Sequence, residues 1–99
     1  MDLSNYKFPE VTKADLAFPT FNTTKELVEE AERRNPKKGM EKFSEIFYKG
    51  GKVELQKDVE GTWKENAYLY ACALMGSWSP KHEHKELVVG MIFEECLVL

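Results

Sequence analysis

Two histidines, His82 and His84, are separated by a single residue in the stretch KHEHKE. In an extended strand this spacing points both imidazoles to the same side, where they could bind zinc or copper. A metal site needs a third ligand, and Glu86 is the nearest carboxylate on that side. A solvated loop explains the same residues more simply. We therefore predict no cofactor and keep His82 and His84 as the metal alternative.

The two cysteines, Cys72 and Cys96, could act as nucleophiles only beside a histidine base. If the C-terminal segment is a strand, Cys96 lies roughly 40 Å from His84 at the usual rise per residue. Free cysteine is among the most buried residue types, so core filling is the preferred interpretation. The glycines match no phosphate-binding pattern. These features together predict a protein without enzymatic activity.

Positive charge is concentrated in one part of a chain whose net charge is −3. Between residues 33 and 52 there are seven Lys or Arg residues against two Glu residues. The predicted basic patch consists of Arg33, Arg34, Lys37, Lys38 and Lys42. Such a cluster could contact nucleic-acid phosphates or an acidic protein surface. Ordinary solvation of helix ends is the simpler alternative.

Length and composition predict one globular domain spanning residues 1–99. The chain is 42% hydrophobic and 31% charged, which is typical of a folded protein. Its start lacks the basic and apolar regions of a secretory signal. The longest uncharged apolar stretch, residues 66–78, is shorter than the roughly 20 residues of a membrane span. We therefore expect a cytoplasmic protein with no membrane partner.

The N-terminal third of the chain is expected to form an arm followed by a helix. Prolines restrict helix formation in residues 1–21, which we predict to be an extended arm packed on the body. Thr23 and Glu26 have the spacing of a capping box, and the helix that follows should end at Asn35-Pro36.

A second short helix should follow directly, with Asn35 as its cap and Pro36 in its first turn. Its apolar positions recur every three or four residues, at Met40, Phe43 and Phe47. The pair Gly50-Gly51 is typical of a helix end.

After Gly51 the apolar period changes to two, which predicts a half-buried strand over residues 53–59. Residues 63–78 and 84–99 are equally long and flank a polar loop, so we predict that they form a β-hairpin. The predicted fold class is α+β: an N-terminal arm, two short helices and a three-stranded antiparallel meander ending in the long hairpin. The alternative for residues 65–75 is a buried helix, because the segment is rich in alanine and Gly76 could cap it.

Both faces of the predicted hairpin are apolar, so each face needs a cover. A second copy of the chain or a protein partner would supply the missing cover, whereas the arm and helices would do so in a monomer. The predicted partner interface consists of Leu69, Ala71, Ala73, Met75, Val89, Met91 and Phe93. We therefore expect a small intracellular, non-enzymatic interaction or regulatory protein, acting as a homodimer. The alternative is a nucleic-acid-binding module that uses Arg33, Arg34, Lys37 and Lys38.

Overall fold

The computed structural model describes residues 3–11, 23–76 and 84–99. Within these ranges the chain forms a 3-10 turn at Leu3–Asn5 and four α-helices. The helices are α1 (Lys25–Arg34), α2 (Lys37–Lys49), α3 (Trp63–Gly76) and α4 (Lys85–Cys96). The sheet-like pairing found in the described residues is one isolated antiparallel bridge between Leu55 and Leu97.

The predicted α+β fold with a β-meander is therefore wrong. The segments predicted as hairpin strands are largely helical, as α3 and α4, and the segment predicted as the first strand is irregular apart from the bridge at Leu55. A helix that is apolar on all sides is a buried helix, and its sequence resembles that of a strand covered on both faces. The alanines of α3 favour the helical alternative. The predicted hairpin loop, residues 79–83, lies outside the described residues.

The two helices predicted in the first half of the chain are confirmed, but their caps differ. Thr24, and not Thr23, caps α1, since its Oγ1 accepts a hydrogen bond from the Leu27 N–H at 3.4 Å. Asn35 ends α1 in a left-handed conformation, with φ of 49°, so it does not cap α2 as predicted. The predicted end of α2 is confirmed, because Gly50 adopts φ of 68°.

Residues 3–11 lie against α3 and are held there by the side chain of Asn66. Its Nδ2 donates to the carbonyl oxygens of Phe8 and Pro9 at 3.2 and 3.1 Å, and its Oδ1 accepts from the Val11 N–H at 3.2 Å. Leu3, Phe8 and Val11 are buried in the core. One amide side chain thus provides the hydrogen bonds that a neighbouring strand would otherwise supply. Residues 12–21 of the predicted arm lie outside the described ranges.

Helix α4 is the centre of the core and packs against the other three helices. Every residue from Val88 to Phe93 is buried. The closest approach is between Gly39 of α2 and Gly90 of α4. A Cβ atom added to Gly39 would lie 1.7 Å from the Gly90 carbonyl oxygen, and one added to Gly90 would lie 2.8 Å from the Met40 nitrogen. The two backbones are therefore in direct contact, and only glycine fits at both positions.

We predict that Gly39→Ala lowers the free energy of unfolding by about 3 kcal/mol or more, because the new methyl group collides with backbone. Urea unfolding followed by circular dichroism measures the change. Lys38→Ala is the matched control, since Lys38 is the exposed neighbour of Gly39 on α2; its effect should stay within about 0.5 kcal/mol. Equal stability of the two variants would contradict the close crossing.

Candidate functional site

Exposed apolar side chains mark two places on the described surface. The large apolar residues with at least 40% of their surface exposed are Phe47, Tyr48, Val53, Leu55, Val98 and Leu99. The first two lie at the end of α2, and the other four lie in the two segments joined by the β-bridge. Because exposed apolar clusters mark interaction sites more often than scattered residues do, each group is a candidate surface.

The second group is built on a short antiparallel pairing, here called the C-terminal ladder (residues 53–56 and 96–99). The Gln56 N–H donates to the Cys96 carbonyl at 3.0 Å, and the Val98 N–H donates to the Glu54 carbonyl at 2.9 Å. Gln56 also donates from its side-chain Nε2 to the Leu97 carbonyl at 3.2 Å. The segment that follows α4 is thereby fixed beside residues 53–56.

In the Leu55–Leu97 pair of the ladder, one side chain is buried and the other is exposed. Leu97 is 1% exposed and belongs to the core, whereas Leu55, directly opposite, is 44% exposed. Val98 and Leu99 border a cleft of about 320 Å³ against the charged side of α2. The other residues lining this cleft are Lys38, Glu41, Lys42 and Glu45. The surface is thus apolar, with both signs of charge at its border.

The aromatic group at the end of α2 already has partners within the chain. The Phe47 ring stacks on Phe43 with centroids 5.5 Å apart, and Lys85 Nζ lies 5.2 Å from the Phe47 centroid. The Tyr48 hydroxyl donates to Glu86 Oε1 at 3.3 Å. These contacts join α2 to the start of α4, so this group is explained by packing, and the C-terminal ladder is the stronger candidate.

The residues of the predicted hairpin interface lie in the interior of the chain. Ala71, Ala73, Val89, Met91 and Phe93 are at most 1% exposed. Leu69 and Met75 are half-buried and pack against the same core. The doubly apolar hairpin that motivated this set does not occur in the described residues, because its two strands are the helices α3 and α4.

The sequence signal for the ladder predicts a longer pairing than the structure contains. The alternation of Val53, Leu55 and Val59 predicts a strand with its apolar side buried, yet of these three only Val59 is buried. The last three residues fall in the predicted hairpin. An extended segment of one or two bridging residues has no pattern that distinguishes it from a longer strand.

Three of the five residues in the predicted basic patch, Arg33, Arg34 and Lys42, have carboxylate partners in the same chain. Arg33 and Arg34 both donate to Glu30, and Arg34 also donates to Glu95 Oε1 at 2.8 Å. The guanidinium groups lie over the Glu30 carboxylate, which is only 5% exposed although it is near the surface. Hydrogen bonds from Arg33 and then Arg34 lower the pKa of Glu30 to about 2. The patch is therefore largely neutralised at this corner.

Two further residues of the predicted basic patch, Lys37 and Lys38, lie in the first turn of α2 and are exposed. Lys42 lies 3.6 Å from Glu45 Oε1. Phosphate binding would thus have to rely on two flexible lysines, without the arginines that could grip a phosphate with two hydrogen bonds.

The histidine and cysteine candidates are not assembled into a reactive site in the described residues. His84 directly precedes α4, with Nδ1 3.6 Å from Glu32 Oε1, and His82 lies outside the described ranges. Among the residues that are described, no three His, Cys, Asp or Glu side chains cluster as metal ligands would.

Burial raises the pKa of both thiols. Cys96 is buried, its Sγ donates to the Lys64 carbonyl at 3.3 Å, and burial raises its pKa to about 12. Burial also raises the pKa of Cys72. Because the thiolate is the nucleophile, this arrangement suppresses thiol chemistry.

Comparison of the chain with protein-family models, with curated proteins and with solved structures finds no match. Over the described residues, no helix has the length and apolar character needed to cross a membrane.

The Glu30 cluster predicts a pH dependence of stability. A carboxyl group whose pKa is lowered on folding stabilises the native state above its ordinary pKa, and that contribution is lost as the pH falls toward the native value. Glu30→Gln should therefore be less stable than the wild type near neutral pH, and the difference should shrink between about pH 4.5 and about pH 2. Urea midpoints across this range measure it. Glu29→Gln, at the exposed neighbouring position, is the matched control.

The buried thiol of Cys96 predicts slow modification. At about pH 8, the reaction of Cys96 with a thiol-specific reagent should be at least about a hundredfold slower in the native protein than in denaturant, because so little thiolate is present. Cys72→Ser and Cys96→Ser variants separate the two reactions. Rapid native-state modification of Cys96 would show that its environment is more polar than the structure indicates.

Proposed function

We propose that this chain is a small non-enzymatic interaction protein that self-associates through the surface of the C-terminal ladder. One observation supports this most directly: Val53, Leu55, Val98 and Leu99 are each between 43% and 50% exposed and are held together on one hydrogen-bonded framework. Their exposure leaves apolar surface in contact with water, and association would remove part of it.

A second copy of the chain is favoured over a charged partner. The segment that carries the exposed edge has charges of alternating sign, at Lys52, Glu54, Lys57 and Asp58. A strongly acidic or basic partner would meet repulsion from half of these residues. A pattern of mixed sign can complement itself when two copies meet in antiparallel orientation.

Non-enzymatic action is favoured by the state of the groups that could do chemistry. Burial raises the pKa of both thiols, which suppresses thiol chemistry. The free thiols of Cys72 and Cys96 also favour a reducing compartment, and hence the cytoplasm, as the site of action. Nucleic-acid binding ranks lower, since Arg33 and Arg34 are occupied by Glu30 and Glu95.

Self-association should be weak. Four half-exposed side chains offer far less than the roughly 800 Å² that each partner contributes to a standard interface. We therefore expect a dissociation constant on the order of 100 µM, so that a dimer forms only in concentrated solution.

Sedimentation velocity of the wild type should show a shift from monomer to dimer between about 10 µM and about 1 mM. Leu55→Asp should remain monomeric throughout, because it places a charge in the apolar contact. Tyr48→Asp is the control, since it introduces the same charge at an exposed apolar position outside the ladder, and it should dimerise like the wild type. A wild type that stays monomeric at the highest concentration would overturn the proposal, as would unchanged dimerisation of Leu55→Asp.

A further inference from the structure

The outer edge of residues 53–56 carries unused backbone hydrogen-bonding groups. The bonds on either side of the Leu55–Leu97 pair run from Gln56 to Cys96 and from Val98 to Glu54. In this antiparallel pattern the N–H and C=O of Leu55 both point away from Leu97. Within the described part of the chain, neither group has a hydrogen-bond partner. Leu55 thus presents one donor and one acceptor, side by side, to the outside.

We infer that a second copy of the chain pairs with this edge in antiparallel orientation about a two-fold axis at Leu55, with Glu54 of each copy beside Lys64 of the other. This inference rests on the proposed self-association and specifies its geometry. A two-fold axis at Leu55 lets the two leucines exchange both N–H···O=C hydrogen bonds, since each copy supplies the donor that the other copy needs.

The apolar side chains are continuous across this axis. Directly opposed residues of an antiparallel pair lie on the same face. Leu97, Leu55 and their two equivalents in the second copy would therefore form one row of four leucines. The outer pair is already buried in each monomer core, and the exposed central pair would bury each other. The row thus extends the core of one copy into that of the other.

Charge complementarity sets the register. With Leu55 on the axis, Glu54 of one copy lies opposite Gln56 of the other, on the same face. The Oε1 atom of Gln56 accepts from Lys64 Nζ at 3.3 Å, so the ammonium group lies beside the side chain that Glu54 of the second copy would oppose. In the described residues neither Glu54 nor Lys64 has an ion-pair partner. The two-fold symmetry produces the Glu54–Lys64 pair twice.

The pairing ends after one copy is added. A turn closed by the Val59 N–H on the Gln56 carbonyl at 3.3 Å takes the chain away from the edge, which keeps the ladder short. On the other side, the Leu97 N–H donates to the Phe93 carbonyl at 2.8 Å, and the Leu97 carbonyl accepts from Gln56. Since that edge is occupied, a closed dimer forms and a growing sheet does not.

A disulfide trap tests the position of the axis. In the proposed dimer the two Leu55 Cα atoms lie about 5.5 Å apart, which is within the range that a disulfide can bridge. Leu55→Cys should therefore form a covalent dimer on mild oxidation. Val53→Cys is the matched control, because it is equally exposed on the same segment but opposes residue 57, roughly 13 Å from its own equivalent. Wild type reports any background from Cys72 and Cys96.

The expected result is rapid crosslinking of Leu55→Cys with little from Val53→Cys or the wild type. Equal crosslinking of both variants would indicate random collision and overturn the proposed axis. Absence of crosslinking in Leu55→Cys, under conditions where the wild type dimerises, would overturn it as well.

A charge exchange tests the register independently of any crosslink. Glu54→Lys alone and Lys64→Glu alone each create two like-charge contacts, so each variant should dimerise at least about tenfold more weakly than the wild type. An equimolar mixture of the two variants should recover the affinity, because every pair in the mixed dimer is then opposite in charge. Lys64 lies in the first turn of α3, where glutamate is well tolerated, so folding should be preserved.

The two proposals fail differently in these experiments. If the wild type dimerises but neither charge variant weakens it, self-association stands and the Leu55 axis is overturned. If the mixture does not recover the affinity that the single variants lose, the Glu54–Lys64 register is overturned. If the wild type does not dimerise at all, the proposed function and the inference fall together.

Discussion

The contact between Gly39 and Gly90 is the constraint on which the rest of this structure depends. Helices normally pack about 8–10 Å apart, with side chains between them. Here the absence of both Cβ atoms lets the backbones of α2 and α4 touch. Phe43 of α2 and Met91 of α4, which lie near the crossing in sequence, are completely buried. Helix α4 can therefore lie between the other helices, as the central element of a small core.

This central position determines where the exposed apolar surface lies. Because α1, α2 and α3 all pack on α4, its middle is covered on all sides and its apolar residues are buried in the core. The chain leaves this enclosure at Cys96 and Leu97, which are still buried, and emerges as Val98 and Leu99. The side chain and backbone of Gln56 hold the emerging segment. The ladder is therefore a preorganised extension of the core, so little conformational entropy would be lost on association.

The parts of the fold that the sequence predicts correctly are those with local signals. Helices α1 and α2 have amphipathic spacing, and Gly50 marks the end of α2 through a conformation that glycine adopts readily. The incorrect predictions concern α3 and α4. Apolar residues occur on every side of these two helices, so their sequences show no helical periodicity. Their helical state depends on being enclosed by the other helices, and that is a tertiary property. The same applies to Gly90, whose role is visible only beside Gly39.

Candidate sites follow the same division between local and tertiary information. The sequence identifies the cations Arg33 and Arg34 but not their neutralisation, because Glu95 is distant in sequence and reaches Arg34 only through the packing of α1 against α4. It likewise identifies Leu55 as part of an extended segment but not which of its edges is occupied. The edge that faces Leu97 is the occupied one, and the end of α4 determines where Leu97 lies. A glycine contact in the core thus determines, through the path of one helix, which backbone groups face outward at the ladder. Any substitution that separates α2 from α4 should therefore weaken the fold and with it the proposed self-association, whereas substitutions at Leu55 should affect the proposed association alone.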